Sequence, residues 1–175
     1  MKHVITVLLA TLVTTGCGTM NPKDFADSSQ PLDLFDYFEG HTRAWGLFED
    51  RFGKLRRQFH VDIVGTVDGD TLVLDESFLY TDGEHQQRRW TIRRTGKTSY
   101  SGQAADVVGE AHGETGGNAL HWTYRMDLRV GERQLRVAFD DWMFLQPDGI
   151  LLNRAEMSKF GIRVGDVTIS FSKKF

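Results

Sequence analysis

Between Leu120 and Val130 the chain alternates without exception. Leu120, Trp122, Tyr124, Met126, Leu128 and Val130 are apolar or aromatic, and His121, Thr123, Arg125, Asp127 and Arg129 between them are polar. A two-residue period is a strand with one dry face, because successive strand side chains point to opposite sides of a sheet. Weaker versions occur where Arg57, Phe59, Val61 and Ile63 alternate with Gln58, His60 and Asp62, and where Val167, Ile169 and Phe171 alternate with Thr168 and Ser170. No comparably long segment has helical spacing. From Gly40 to Phe171, turn signals recur at Gly53, Asp68-Gly69, Asp82-Gly83, Gly96, Gly116-Gly117-Asn118, Gly131-Glu132, Asp148-Gly149 and Gly161 to Gly165. Strands of about 8 to 12 residues fit between them. The expected fold is all-β, an antiparallel up-and-down meander that closes into a lipocalin-like barrel of about 8–10 strands, since closure removes exposed edges. A barrel of that size can enclose one small apolar ligand.

Filling a barrel takes apolar mass, and the 175 residues supply 12 Phe, 4 Trp and 4 Tyr. A formal charge of −3 offers no field to hold a polyanion, so no nucleic-acid partner is expected. The single cysteine cannot form an internal disulfide.

That cysteine has a particular setting. Lys2 gives a positive start, and Val4 to Val13 is an uncharged, mostly apolar run followed by Thr14-Thr15-Gly16-Cys17. The run is shorter than the roughly 20 residues needed to cross a bilayer, and reads as the core of a signal peptide. Cys17 at its end resembles the lipobox of bacterial lipoproteins, although Thr14 stands where Leu is commoner. The resemblance implies cleavage after residue 16, acylation of Cys17 and anchorage of the protein to a membrane through those chains. Gly18, in place of the Asp that signals inner-membrane retention in Gram-negative lipoproteins, implies the periplasmic face of the outer membrane. The expected organisation is a signal peptide over residues 1–16, a lipidated cysteine and flexible tether over 17–31, and the barrel over 32–175. Within the last, Asp33 to Glu39 has spacing for one short helical turn or a plug.

Charges on otherwise apolar faces mark the candidate binding residues. Glu76 interrupts the face Leu72, Leu74, Phe78 and Tyr80, and the following strand places Arg88, Trp90 and Ile92 on its apolar face. A three-residue loop with a glycine bulge at Gly83 brings the two faces together. In the expected register Glu76 faces Trp90 and pairs diagonally with Arg88 inside the barrel or at its mouth. Asp141 likewise interrupts Leu135, Val137, Phe139, Met143 and Leu145, with Arg154 and Lys159 as candidate partners. Glu76, Arg88, Trp90, Trp122, Tyr124, Asp141 and Arg154 are therefore the candidate ligand contacts, on the ground that pockets are mostly apolar with a few placed polar groups. The alternative is a buried ion pair that fixes register.

Catalytic signatures are absent from the sequence. There is no Gly-x-Ser-x-Gly elbow, the histidines are scattered singly, and adjacent acids such as Asp140-Asp141 point to opposite faces of a strand. No catalytic residue, metal site or cofactor is assigned.

Several stretches carry a family likeness. These are Phe38-Glu39-Gly40 with Ala44-Trp45-Gly46, Arg51-Phe52-Gly53, Leu74-Asp75-Glu76 with Tyr80-Thr81-Asp82-Gly83, Ala105 to Gly109, Asp140-Asp141-Trp142-Met143, and Asn153-Arg154 through Lys159-Phe160-Gly161. Through them the chain resembles a family of chains assigned as Gram-negative lipoproteins and catalogued as domain of unknown function 3833. The likeness supports the lipoprotein reading and carries over no activity. Three functions are open at this point: a membrane-anchored barrel that binds a lipid or fatty-acyl molecule, an accessory lipoprotein that supports a protein partner, and an enzyme acting on a lipid or isoprenoid substrate.

Overall fold

A computed structural model describes residues 19–131 and 133–175. The expected signal peptide over residues 1–16 and the lipidation site Cys17 lie outside the described residues. Ten strands follow one another in chain order: β1 (Gly40–Asp50), β2 (Leu55–Asp68), β3 (Thr71–Tyr80), β4 (His85–Arg94), β5 (Ser99–Gln103), β6 (Ala111–Gly116), β7 (Ala119–Val130), β8 (Arg133–Leu145), β9 (Leu151–Lys159) and β10 (Ile162–Ser172). Each pairs antiparallel with its neighbours in sequence, and β1 pairs with β10 to close the barrel. The all-β up-and-down barrel expected from the periodicity is the observed fold.

Register follows the turns. Between β3 and β4, the Gly83 N–H donates to the Tyr80 carbonyl at 2.9 Å, and Gly83 takes a φ of 85°, the left-handed conformation a glycine bulge requires. The loop type is as expected, but the pairing is shifted by two residues: Glu76 faces Arg88, and Trp90 faces Leu74. A slip of two leaves every side chain on its own face, so the alternation alone could not set it. One turn signal also falls differently, for Gly165 lies inside β10 at a bulge.

The two short strands shape the interior. Gly102 on β5 and Gly113 on β6 point inward, and a Cβ on Gly113 would stand 2.1 Å from Trp122 on β7. Absence of side chains there lets the Trp122 indole lie flat against the inner wall. The same shortness leaves the wall incomplete. Only Thr91–Arg94 of β4 pair with β5, and only Ala119–Thr123 of β7 pair with β6. Beside their remaining halves runs the loop 104–110, which joins β7 through a Val107–Met126 bridge and backbone bonds from Val108 to Arg125 and from Asp127 to Asp106, both 2.8 Å. Its other side meets β4 through side chains, chiefly a salt bridge from Arg88 to Asp106 at 2.9 Å.

One end is closed by the helix α1 (Leu34–Phe38), the plug anticipated at Asp33 to Glu39. Asp33 caps it, accepting from the Phe35 and Asp36 amides, and also pairs with Arg94 at 3.1 Å. Gly65 on β2 leaves room for the Phe38 carbonyl, which an added Cβ would meet at 1.8 Å. Residues 19–31, expected as a free tether, instead lie along the barrel. A 3₁₀ turn over Pro22–Phe25 seats its backbone on Gly116 and Gly117, and the Phe25 ring packs on the outward-facing Trp142 and Phe144 at 6.0 and 5.3 Å. Burial of that one aromatic against two others orders a segment whose composition is otherwise polar.

Gly113→Ala is expected to lower stability by about 1–3 kcal/mol, because overpacking forces the Trp122 ring off the wall. Gly96→Ala, whose Cβ would meet Ser99 at 3.6 Å, is expected to leave it nearly unchanged. Chemical denaturation of the two variants checks the contrast.

Candidate functional site

The inward faces of β2, β3, β4, β7, β8, β9 and β10, with the underside of α1, surround a cavity of about 110 Å³. Its walls are Leu34, Phe38, Val61, Ile63, Leu74, Phe78, Ile92, Leu120, Met143, Ile169 and Phe171, with Trp90, Trp122 and Tyr124 forming an aromatic side. Trp90 meets Trp122 edge-on at 6.0 Å and Tyr124 edge-on at 5.5 Å. Into this apolar space project Glu76, Arg88, Asp141 and Asn153.

Six of the seven candidate contacts named from the sequence thus line one cavity: Glu76, Arg88, Trp90, Trp122, Tyr124 and Asp141. Arg154 does not. It pairs across from Trp142 on the outer face and is exposed, because Leu151, Asn153 and Ala155 take the inward positions of β9. The expected Asp141 partnership with Arg154 or Lys159 is therefore replaced by a hydrogen bond from the Tyr124 hydroxyl at 3.3 Å. Sequence reasoning missed Asp106, which sits in a loop where periodicity gives no facing. It also missed Asn153, a polar residue that stands inward while its neighbour Leu152 is exposed.

Arg88 is the one guanidinium lining the cavity among the described residues, and it is shared unequally. It holds Asp106 at 2.9 Å and stands 3.9 Å from Glu76, too far for a hydrogen bond. Glu76 Oε2, Asp106 Oδ1 and Asp141 Oδ1 are buried without a hydrogen-bond partner among the described residues. Unpaired buried carboxylate oxygens are costly, and Glu76 and Asp141 reduce that cost by holding their protons more tightly. Burial pushes Glu76 up to about 7 against the attraction of Arg88, with Asp106 adding to the rise. Burial likewise pushes Asp141 up to about 8, against the Tyr124 hydrogen bond and with help from the charge of Asp140. Tyr124 is raised well above the ordinary phenol range by burial and by the neighbouring Asp141.

Chemically, the cavity presents carboxyl oxygens without hydrogen-bond partners among the described residues, on aromatic walls. Among the described residues no group of three or more His, Cys, Asp or Glu is gathered for a metal ion. Outside the wall, where the loop 104–110 meets β4, Gln86, Arg89, Asp106, Val108 and Gln134 edge a surface groove of about 380 Å³, which Arg88 separates from the interior.

Both raised carboxyls bind protons in the folded chain over a pH range in which the unfolded chain has released them. Their contribution to stability is complete below the unfolded values near 4 and is lost as pH rises through about 7 for Glu76 and about 8 for Asp141. The combined effect is on the order of a few kcal/mol. Urea midpoints are expected to fall between pH 5 and pH 8.5, and Glu76→Gln or Asp141→Asn each to flatten that fall. A wild-type midpoint that rises over the interval would contradict the assignment.

The profile of the family described as protein of unknown function (DUF3833) matches residues 11–173, and the chain belongs to that family. No curated protein matches it. Among solved structures it is similar to the S-type phycobiliprotein lyase CPES from Guillardia theta, at 9% identity and a TM-score of 0.52, covering 78% of this chain and 88% of that one. At that identity the likeness is one of fold.

Proposed function

We propose that this member of the family is a small-molecule-binding lipoprotein: a barrel that takes the end of a lipid or fatty-acyl molecule into its interior, held at the periplasmic face of the outer membrane by acyl chains on Cys17. The observation that carries the binding reading is the aromatic-walled cavity with carboxylate oxygens left unpaired inside it. A purely structural core would be expected to fill such a space or to satisfy such atoms. Support from the comparisons is a likeness of fold to an S-type phycobiliprotein lyase.

Volume limits what enters. A dry cavity of about 150 Å³ accommodates benzene, so 110 Å³ suits a few heavy atoms. A longer chain needs either displacement of Phe59, Phe78 and Tyr80, which stack between the cavity and the far end of the barrel, or passage through the wall beside the loop 104–110. At that second place Arg88 and Asp106 would have to part.

Delipidated protein incubated with a bacterial lipid extract and re-isolated is expected to retain a bound molecule detectable by mass spectrometry, and Trp122→Leu to retain less. Retention of nothing by folded wild-type protein would overturn the binding reading. Separately, labelled palmitate is expected to be incorporated into the wild type in cells and not into Cys17→Ser; equal labelling of both would overturn the anchor.

A specific observation favours a second reading, an accessory lipoprotein that supports a partner. The β1–β2 and β9–β10 turns lie side by side, Arg51 donating to the Val164 carbonyl at 3.0 Å, and expose Phe52, Phe160 and Ile162 together. Phe160 adopts a φ of 52°, a conformation that a bulky residue avoids, at 93% exposure. Phe160→Asn is expected to raise the unfolding temperature by relieving that conformation. Under the accessory reading it would also weaken capture of a specific partner, and unchanged capture would remove the reading.

A further inference from the structure

We infer that the interior site selects an organic ammonium group, so that the molecule bound presents a protonated amine, with its carbon skeleton against Trp90, Trp122 and Tyr124. The inference rests on the small-molecule reading above and adds the chemical class of the ligand's buried end.

Charge and hydrogen-bond capacity both lead there. Two carboxyls, Glu76 and Asp141, line the cavity beside Arg88, whose charge is already met by Asp106 from the loop 104–110. Arg88 directs its short contacts to Asp106, through Nε at 3.0 Å and Nη2 at 2.9 Å. Its Nη2 lies 3.6 Å from the Met126 sulfur, and its guanidinium stands over the Phe78 ring at 5.2 Å. Its Nη1, 3.9 Å from Glu76, is the part of the guanidinium left without a hydrogen bond among the described residues, and a carboxylate-headed ligand would have to compete with Glu76 for it. Carboxyl oxygens without partners are what the site holds. Asp141 is only 5% exposed and lines the cavity, yet its Oδ1 has no partner among the described residues; nor has the buried Oε2 of Glu76. A primary ammonium carries three N–H donors and no acceptor, which complements orphaned carboxylate oxygens directly.

The walls agree with that choice. Three aromatic side chains in edge-on contact offer ring faces and edges around one space, and an alkylammonium is attracted to ring faces while its carbons bury apolar area. A neutral alcohol satisfies one oxygen and gains no Coulomb attraction. The space of about 110 Å³ matches a group on the order of five heavy atoms, judged by the 150 Å³ that benzene occupies. The end of an aminoalkyl chain fits this description.

Protonation links to binding with a definite sign. Glu76 is faced by Arg88 from β4 and by Asp106 from the loop 104–110, and Asp141 by Tyr124 from β7, with Asn153 of β9 also at the cavity. Bringing an ammonium between the two carboxyls favours their ionised forms, so binding releases protons and strengthens as pH rises from 6 towards 8.5, while the amine itself stays protonated near its usual value above 10.

The test uses the delipidated full chain with three probes of equal length: butylammonium, 1-butanol and butyrate, followed by titration calorimetry and tryptophan fluorescence at pH 6 and pH 8.5. Butylammonium is expected to bind at least about tenfold tighter than the other two, in line with a charge-assisted contact, and the margin to widen at the higher pH. Asp141→Asn and Glu76→Gln, each checked for a native circular dichroism spectrum, are expected to shrink the margin, two variants guarding against the failure of one to fold. Binding of butanol or butyrate as tight as butylammonium would overturn the ammonium assignment and leave the small-molecule reading in place. Absence of binding by all three probes would overturn both. A margin that survives in both folded variants would overturn the roles given to these carboxyls.

Discussion

Closure is the condition on which the rest of this structure depends, because a strand in a barrel has no free edge only if both its neighbours run alongside it for its whole length. β4 and β7 fail that condition most clearly, because β5 and β6, the strands that lie between them, are only about half as long. The consequence is local: half of β4 and half of β7 lose a partner strand, and the loop 104–110 fills the gap, bonded by its backbone to β7 and by side chains to β4. A wall whose integrity rests on an ion pair at one seam differs from a wall of ladder hydrogen bonds, since a side-chain pair can exchange partners without unfolding a strand.

Arg88 is the residue through which the seam and the interior communicate. It is held at hydrogen-bond distance by the seam aspartate Asp106 and lies just beyond that distance from the interior glutamate Glu76. Two carboxylates compete for one guanidinium, and Glu76 receives the smaller share. Desolvation then raises its proton affinity, as it does for Asp141, whose one hydrogen bond comes from a tyrosine. Replacing a buried, half-satisfied carboxyl by an apolar side chain is often neutral or stabilising. Two such groups on one small cavity are accordingly hard to account for by stability, and they favour a ligand there.

How much of this was legible in the sequence depends on which signal each feature leaves. The barrel was legible because the Leu120 to Val130 alternation fixes which side chains face inward, and glycine-marked turns fix the order of strands. Facing was enough to gather Glu76, Arg88, Trp90, Trp122, Tyr124 and Asp141 in one interior. Register was not, since pairing Glu76 with Arg88 or with Trp90 gives the same faces, and the choice is made by the geometry of the Thr81-Asp82-Gly83 loop. Arg154 misled because β9 carries Leu152 outward and Asn153 inward, an exchange of the usual preference that a single short strand does not reveal. Asp106 left no periodic signal at all. The ordering of residues 19–31 rests on one aromatic, Phe25, whose receiving surface of Trp142 and Phe144 belongs to a strand more than a hundred residues away.

The glycines of the short strands connect the seam to the cavity. Side chains at Gly102 and Gly113 would push the Trp122 indole into the barrel, and the space it now borders would close. The strands that are too short to complete the wall are thus also the strands that are bare enough to leave room behind it. Beside them, Gly116 and Gly117 receive the backbone of the ordered N-terminal segment on the outer side. One stretch of chain, Gly102 to Gly117, therefore governs three things: the gap in the wall, the room inside it, and the docking of the segment that leads back towards Cys17. Its glycine content, which in sequence suggests only turns and loose strands, is in the folded barrel the means by which bulky neighbours approach the backbone from both faces.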